Sequence, residues 1–315
     1  MATIDSALGT LDTGDLGFTL MHEHILVMNW ALRQGLRNWF DREAFIKEAV
    51  EKVRAVKEKG VKTMVDLTPL NLGRDVSIIH EVAEKTGMQI IVATGFYWPE
   101  EPWYQWWEAD QMVDLLLPDI TDGIQGTNIK AGVIKCATDL PGITETNKKL
   151  LQVAARLHRK TGVPVSTHSD VHTHTGFAQQ DLFEEEGVDL SRVVIGHCGD
   201  TEDVAHLETI LKRGSFIGMD RFGLDILLPT DKRVSTIAEL CRRGYADQLV
   251  LAHDASCHID WFPAGMVDVV VPNWNFQHIP DTVIPALRKE GVTDAQITAM
   301  TVDNPRRFFE KQGAY

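Results

Sequence analysis

Apolar residues come along this chain in short unbroken runs, and each run gives way to a longer stretch with helical spacing. Eight runs stand out, at residues 18–21, 61–67, 90–94, 131–135, 163–167, 193–196, 215–219 and 249–252. A strand with one wet face would alternate apolar and polar side chains. Runs this continuous suit parallel strands covered on both faces. Between them, residues 42–58 place Phe45, Ile46, Ala49, Val53 and Val56 on one stripe and Lys and Glu on the other. Residues 148–160, 203–212 and 234–243 repeat that design, and Gly60, Gly87, Gly162, Gly187, Gly214 and Gly244 stand after helical stretches, where a left-handed C-cap belongs. Strand then helix, eight times over, predicts an α/β chain folded as a single (β/α)8 TIM barrel over residues 1–315, with its active site at the C-terminal ends of the strands. A doubly wound open sheet is the alternative, but no Gly-x-Gly-x-x-Gly turn follows the first run.

What stands at the ends of the runs carries the chemistry. The first leads into His22-Glu23-His24, the fourth ends in Lys135, the fifth and sixth lead to His168 and His197, and the eighth approaches Asp254. Alternate residues of a strand share a face, so His22 and His24 can reach one ion. An inward lysine loses its hydration shell. It persists by neutralising, by pairing, or by taking up carbon dioxide to become a carboxylated, metal-bridging anion. Asp254 at such a place needs a cation beside it. Together the six predict a metal site.

The remaining histidines read differently. His172 and His174 fall in a polar loop near the mouth, while His80, His158 and His206 lie in helical stretches and are expected to face solvent or cap a turn. His253 should point away from Asp254 into the barrel–helix layer, and His258 and His278 belong to a long final loop. Cys136 and Cys198 follow inward residues and should face outward as small buried apolar groups.

Charge narrows the class. In 315 residues, 31 Lys and Arg stand against 45 Asp and Glu, a net charge of −14. Such a surface repels phosphate backbones and anionic lipid, which argues against nucleic-acid and membrane partners. Four cysteines (Cys136, Cys198, Cys241, Cys257) without a Cys-x-x-Cys pair fit neither a zinc ribbon nor a disulfide frame. No basic n-region with an apolar h-region opens the sequence, and no uncharged apolar run approaches the ~18 residues of a membrane span. A cytoplasmic, reducing location is expected.

The set Met21-His22-Glu23-His24, Gly132-Val133-Ile134-Lys135, Thr167-His168-Ser169, Ile195-Gly196-His197 and His253-Asp254, with Gly218-Met219-Asp220-Arg221-Phe222-Gly223, resembles the phosphotriesterase family of the amidohydrolase superfamily, and most closely its phosphotriesterase-like lactonases. The resemblance implies two divalent ions: zinc, or iron, cobalt or manganese. One is held by His22, His24 and Asp254 and the other by His168 and His197, with an N6-carboxylysine at Lys135 and a hydroxide bridging them. It further implies that Asp254 takes the nucleophile's proton, that Asp200 and Asp220 stand behind the ligands, and that the chain forms a homodimer. Tyr97 matches the tyrosine that such lactonases direct at the substrate. Arg221 stands where true phosphotriesterases usually carry His, and Trp261 lies in the loop that shapes an acyl channel. With Lys135 and Asp254, Tyr97 and Arg221 are therefore expected to be catalytic, and Tyr97, Trp98, Arg221 and Trp261 to contact substrate.

One segment departs from the family. Residues 98–107 hold half of the chain's 8 tryptophans, as either a pocket wall for a bulky aromatic substrate or a dimer contact. The nearly apolar stretch within residues 262–277 would form the other wall. The expected activity is hydrolysis of lactones, acyl-homoserine lactones among them, with promiscuous, paraoxonase-type action on organophosphates. A carboxylester or arylester hydrolase on the same metal site is the alternative.

Overall fold

All eight apolar runs are strands. The computed structural model describes residues 2–310 and 313–315. In chain order the strands are β1 (Thr3–Ser6), β2 (Gly9–Asp12), β3 (Thr19–Val27), β4 (Thr63–Asp66), β5 (Gln89–Gly95), β6 (Val133–Ala137), β7 (Val165–His168), β8 (Val193–Ile195), β9 (Phe216–Met219), β10 (Leu249–Leu251) and β11 (Ser256–Ile259). β1 and β2 form an antiparallel hairpin that the hydrophobic pattern did not announce. The other nine make one parallel sheet in the order β10-β9-β8-β7-β6-β5-β4-β3-β11. β10 and β11 are the two parts of the eighth barrel strand: Val250 pairs with Gly218 on one side, and Ser256 pairs with His24 on the other. The sheet curls into a TIM barrel.

Helices alternate with the strands: α1 (Trp30–Gly35), α2 (Arg42–Glu58), α3 (Val76–Thr86), α4 (Ala109–Thr121), α5 (Glu145–Thr161), α6 (Thr175–Glu185), α7 (Val204–Lys212), α8 (Thr230–Arg242), α9 (Met266–Val270), α10 (Ile284–Lys289), α11 (Asp294–Thr298) and α12 (Asn304–Glu310). α2 occupies the stretch its apolar stripe marks, with Asp41 accepting the Ala44 N–H as N-cap. All six C-cap glycines have positive φ, Gly60 at 94° and Gly162 at 79° among them.

The period-2 rule divides the core. On β5, Ile90 and Val92 pack outward against the helices, whereas Ile91 and Ala93 point into the barrel. The inward set continues with Met21, Val65, Val133 and Phe216 and is closed from below by Phe308 and Phe309 of α12. Both faces of most strands are thus apolar in the lower half, which is why the runs do not alternate.

β3 runs nine residues through His22-Glu23-His24, so both histidines lie on a strand as expected, paired with both β4 and β11. Two expectations need correction. The final loop is partly ordered: His258 lies in β11, and α9 forms within the apolar stretch. His158 does not face solvent; it is buried, with Nδ1 on the Val163 carbonyl and Nε2 on the Tyr315 hydroxyl. Cys136, on β6, is buried on the helix side of the sheet as the alternation requires, and Cys198, in a short turn past β8, is buried in the same outer apolar layer. Among the described residues no helix is long and apolar enough to cross a membrane.

Candidate active site

Above the apolar plug the barrel interior turns polar. Each inward imidazole is held from behind by a hydrogen bond on one ring nitrogen, which leaves the other aimed at the centre. Asp220, just past β9, bridges two rings: Oδ2 takes His22 Nδ1 at 2.9 Å and Oδ1 takes His197 Nδ1 at 3.0 Å. Those rings stack at 4.9 Å. Thr68 Oγ1 lies 2.8 Å from His24 Nδ1, and Asp139 Oδ2 lies 2.9 Å from His168 Nε2. Such outer partners fix tautomer and direction together.

The free nitrogens converge. Asp254 Oδ1 lies 3.3 Å from His22 Nε2 and 2.9 Å from His24 Nε2. His168 Nδ1 and His197 Nε2 face each other at 2.8 Å. Between the two groups stands Lys135, its Nζ 3.0 Å from His22 Nε2. The inward groups therefore divide into His22, His24 and Asp254, one of two clusters among the described residues whose spacing suits a metal ion, and the pair His168 and His197, with Lys135 Nζ reaching His22 and the Thr167 carbonyl. A second cluster of suitable spacing, His22, His197 and Asp220, uses the nitrogens that Asp220 already occupies and is better read as the brace behind the first.

Electrostatics agree with this division. Burial, reinforced by the charge of Lys135, pushes His22 down to about 4, and burial with Arg221 pushes His197 well below its usual value. Burial lowers His168 as well. These imidazoles are neutral at pH 7, the form that can bind a cation. Burial pushes Lys135 down to about 8. It would also raise Asp254 and Asp220, but neighbouring histidines outweigh it and hold both carboxylates well below the ordinary range. Arg221 joins Asp254 Oδ2 (3.1 Å from Nε) to Asp200 Oδ2 (2.9 Å from Nη1), and the buried Arg233 holds the other oxygen of Asp200 at 2.5 Å.

A cavity of about 230 Å³ opens over these groups. Tyr97, Arg221 and Trp261 line it, together with Ile226 and Leu227 of the segment after β9 and Met266 and Val270 of α9. Trp98 does not: it packs behind Tyr97, ring centroids 6.1 Å apart. The tryptophan-rich segment is likewise no pocket wall. Trp103 is packed on Phe96, Tyr104 and Trp107, while Trp106 is 79 % exposed. The second wall stands where the apolar stretch after β11 predicted it. His172 and His174 sit in a turn outside the lining.

Some site residues escaped the sequence reading. Thr68 and Asp139 carry the only signal available to them, a polar residue two positions past a strand end. Glu23 lies hidden between two histidines, its carboxylate 2.6 Å from His253 Nδ1.

Comparison with known proteins is consistent across sequence and structure. Residues 2–309 match the sequence model of the Phosphotriesterase family. The chain is 46 % identical to a protein of Mycobacterium tuberculosis named phosphotriesterase homology protein, over 100 % of both chains. It is 40 % identical to an aryldialkylphosphatase of Saccharolobus solfataricus, over 95 % of this chain and 97 % of that one. The solved structure of the phosphotriesterase from Mycobacterium tuberculosis superposes with a TM-score of 0.96 at 46 % identity, covering 99 % of this chain and 100 % of that one.

Proposed function

Since the chain belongs to the phosphotriesterase family, we propose that it is a metal-dependent hydrolase of lactones and related esters, with weaker action on organophosphate triesters. The observation that carries this reading is the convergence of His22, His24, His168, His197, Lys135 and Asp254 beneath an apolar-walled cavity. The donor set fits two borderline divalent ions, zinc foremost, with iron, cobalt or manganese able to use the same nitrogen and carboxylate ligands. His22, His24 and Asp254 would hold one ion, and His168 and His197 the other. Bound there, such ions supply Lewis acidity and lower the pKa of a water, so that a nucleophile exists at neutral pH.

The chain's own residues do the rest. Lys135, whose amine is readily neutralised, adds carbon dioxide: its nitrogen bonds the carbon and loses a proton, giving the carbamate that stands between the two donor groups. Asp254 Oδ2 accepts the proton of the attacking water, and Arg221, itself held by Asp200, steadies the carboxylate. Burial pushes the Tyr97 phenol up, so it stays protonated and can donate to the ester oxygen at the cavity roof. A tetrahedral adduct and a phosphoryl transition state both place negative oxygen at the same point, which accounts for the secondary activity. We take residues 1–315 as one such domain, of which residues 1, 311 and 312 lie outside those described, working in the cytoplasm as a homodimer.

The arylester reading rested on the tryptophan-rich segment, and that segment does not line the cavity. A panel of γ- and δ-lactones run beside paraoxon and p-nitrophenyl esters tests the choice. Lactone kcat/KM is expected to exceed the others, and ester turnover above every lactone would overturn it.

A further inference from the structure

Between β10 and β11 the eighth strand leaves the ladder, and Asp254 stands in this break with φ of 55°. That left-handed conformation is strained for a residue with a Cβ and persists only where its surroundings impose it. What imposes it is on the facing strand. Glu23 of β3, 0 % exposed, directs its carboxylate at the break. Its Oε1 accepts the His253 backbone N–H at 3.0 Å and His253 Nδ1–H at 2.6 Å, and its Oε2 accepts the Ala255 N–H at 3.1 Å. One carboxylate thus grips the chain on both sides of Asp254.

The backbone completes the stitch: the His22 carbonyl accepts the Asp254 N–H at 3.0 Å, and the Ala255 carbonyl accepts the His24 N–H at 2.8 Å. His253 cannot replace Glu23. Its Nε2 accepts the Ile279 N–H at 2.9 Å, so its one ring proton sits on Nδ1 and is given to Glu23. The three donors around Glu23 leave room for an acceptor only; an amide there would set N–H against N–H.

We propose that Glu23 is the positioning residue of Asp254, bridging the backbone on either side of it and so fixing the direction in which its carboxylate meets His22 and His24. This rests on the reading of those three residues as metal ligands.

The test is calorimetric titration of chelator-treated protein with zinc, using wild type, Glu23→Gln, Asp254→Asn and the double variant, each checked by circular dichroism and thermal melting. Glu23→Gln, nearly isosteric, is expected to keep the barrel spectrum and to weaken the tightest zinc step by roughly 10- to 100-fold, as loss of a ligand's outer partner does. In the Asp254→Asn background it should have no further effect, because Glu23 acts through that residue alone. Zinc affinity unchanged in Glu23→Gln, or weakened equally in both backgrounds, overturns the proposal. Should Glu23→Gln not fold, Glu23→Asp keeps the carboxyl group but cannot span both sides of residue 254; it must then weaken zinc, and wild-type affinity in it overturns the proposal too. A wild-type protein that takes up no zinc refutes the ligand reading, and this inference with it. Zinc bound by wild type and by Glu23→Gln alike refutes only the role of Glu23.

Discussion

The two halves of the barrel interior are built from the same strands and obey opposite rules. Below, Met21, Val65, Ile91, Val133 and Phe216 fill the space with hydrocarbon, sealed by Phe308 and Phe309. Above, the next inward residues of several of those strands are ionisable, and each imidazole is matched to a hydrogen-bond partner. On β6 the change takes a single step of two, from Val133 to Lys135. The lower half is stable because the hydrocarbon that fills it needs no partner. The upper half is chemically useful because every group in it does, and so removing one partner leaves another stranded at the full cost of desolvation.

That contrast makes separable predictions. Lys135→Ala should lower kcat by at least roughly 10²-fold, the scale of losing a preorganised electrostatic group, with the barrel still folded by circular dichroism. Unaltered turnover would show that the upper half does not depend on its central charge. Phe309→Ala should do the reverse, costing about 3–5 kcal/mol of stability, typical of a large core truncation. Kinetic constants below its lowered melting point should be retained, and a collapse of kcat without loss of stability would merge the two halves. Asp220→Asn, which keeps the shape but spoils the brace behind His22 and His197, should weaken metal binding about 10- to 100-fold. A titration indistinguishable from wild type would demote Asp220 to packing.

A pH profile sharpens the same line. Because burial lowers Lys135 to about 8, its reactive neutral form accumulates as pH rises through that value. Reactivation of metal-free protein by zinc at a fixed concentration of dissolved carbon dioxide should therefore speed up to about pH 8 and then level off, whereas a rate still climbing toward pH 10 would mark an unperturbed amine. The smallest effect belongs to the cavity wall. Met266→Ala should raise KM about fivefold at constant kcat, in proportion to the partial burial of one side chain; a fall in kcat alone would give α9 a part in the chemistry.

Legibility in the sequence follows the same division. Strands covered on both faces leave unbroken apolar runs, and a His, Lys or Asp interrupting the end of such a run is conspicuous. The six donors could be read for that reason. Glu23 could not: it neighbours two of them, and its purpose depends on backbone groups 230 residues away. Asp139 and Thr68 act on histidines 29 and 44 residues distant, with no period to betray them. The tryptophans of residues 98–107 show the opposite hazard. Their composition suggests a pocket, but Trp103 is spent on Phe96 and Tyr104, and only packing reveals it. The true wall, Ile226 with Met266 and Val270, is made of ordinary apolar side chains on a loop and on the short α9.

The divided eighth strand has one more consequence. β10 is hydrogen-bonded to β9 and β11 to β3, so the cylinder is fastened along a seam whose crossing point is residues 252–255. His22 and His24 lie on one lip of that seam and Asp254 on the other. Opening of that seam would part His22 and His24 from Asp254 while the helices are still intact, so a cation held by all three, as proposed above, would act as a rivet across it and would be released before the barrel unfolds.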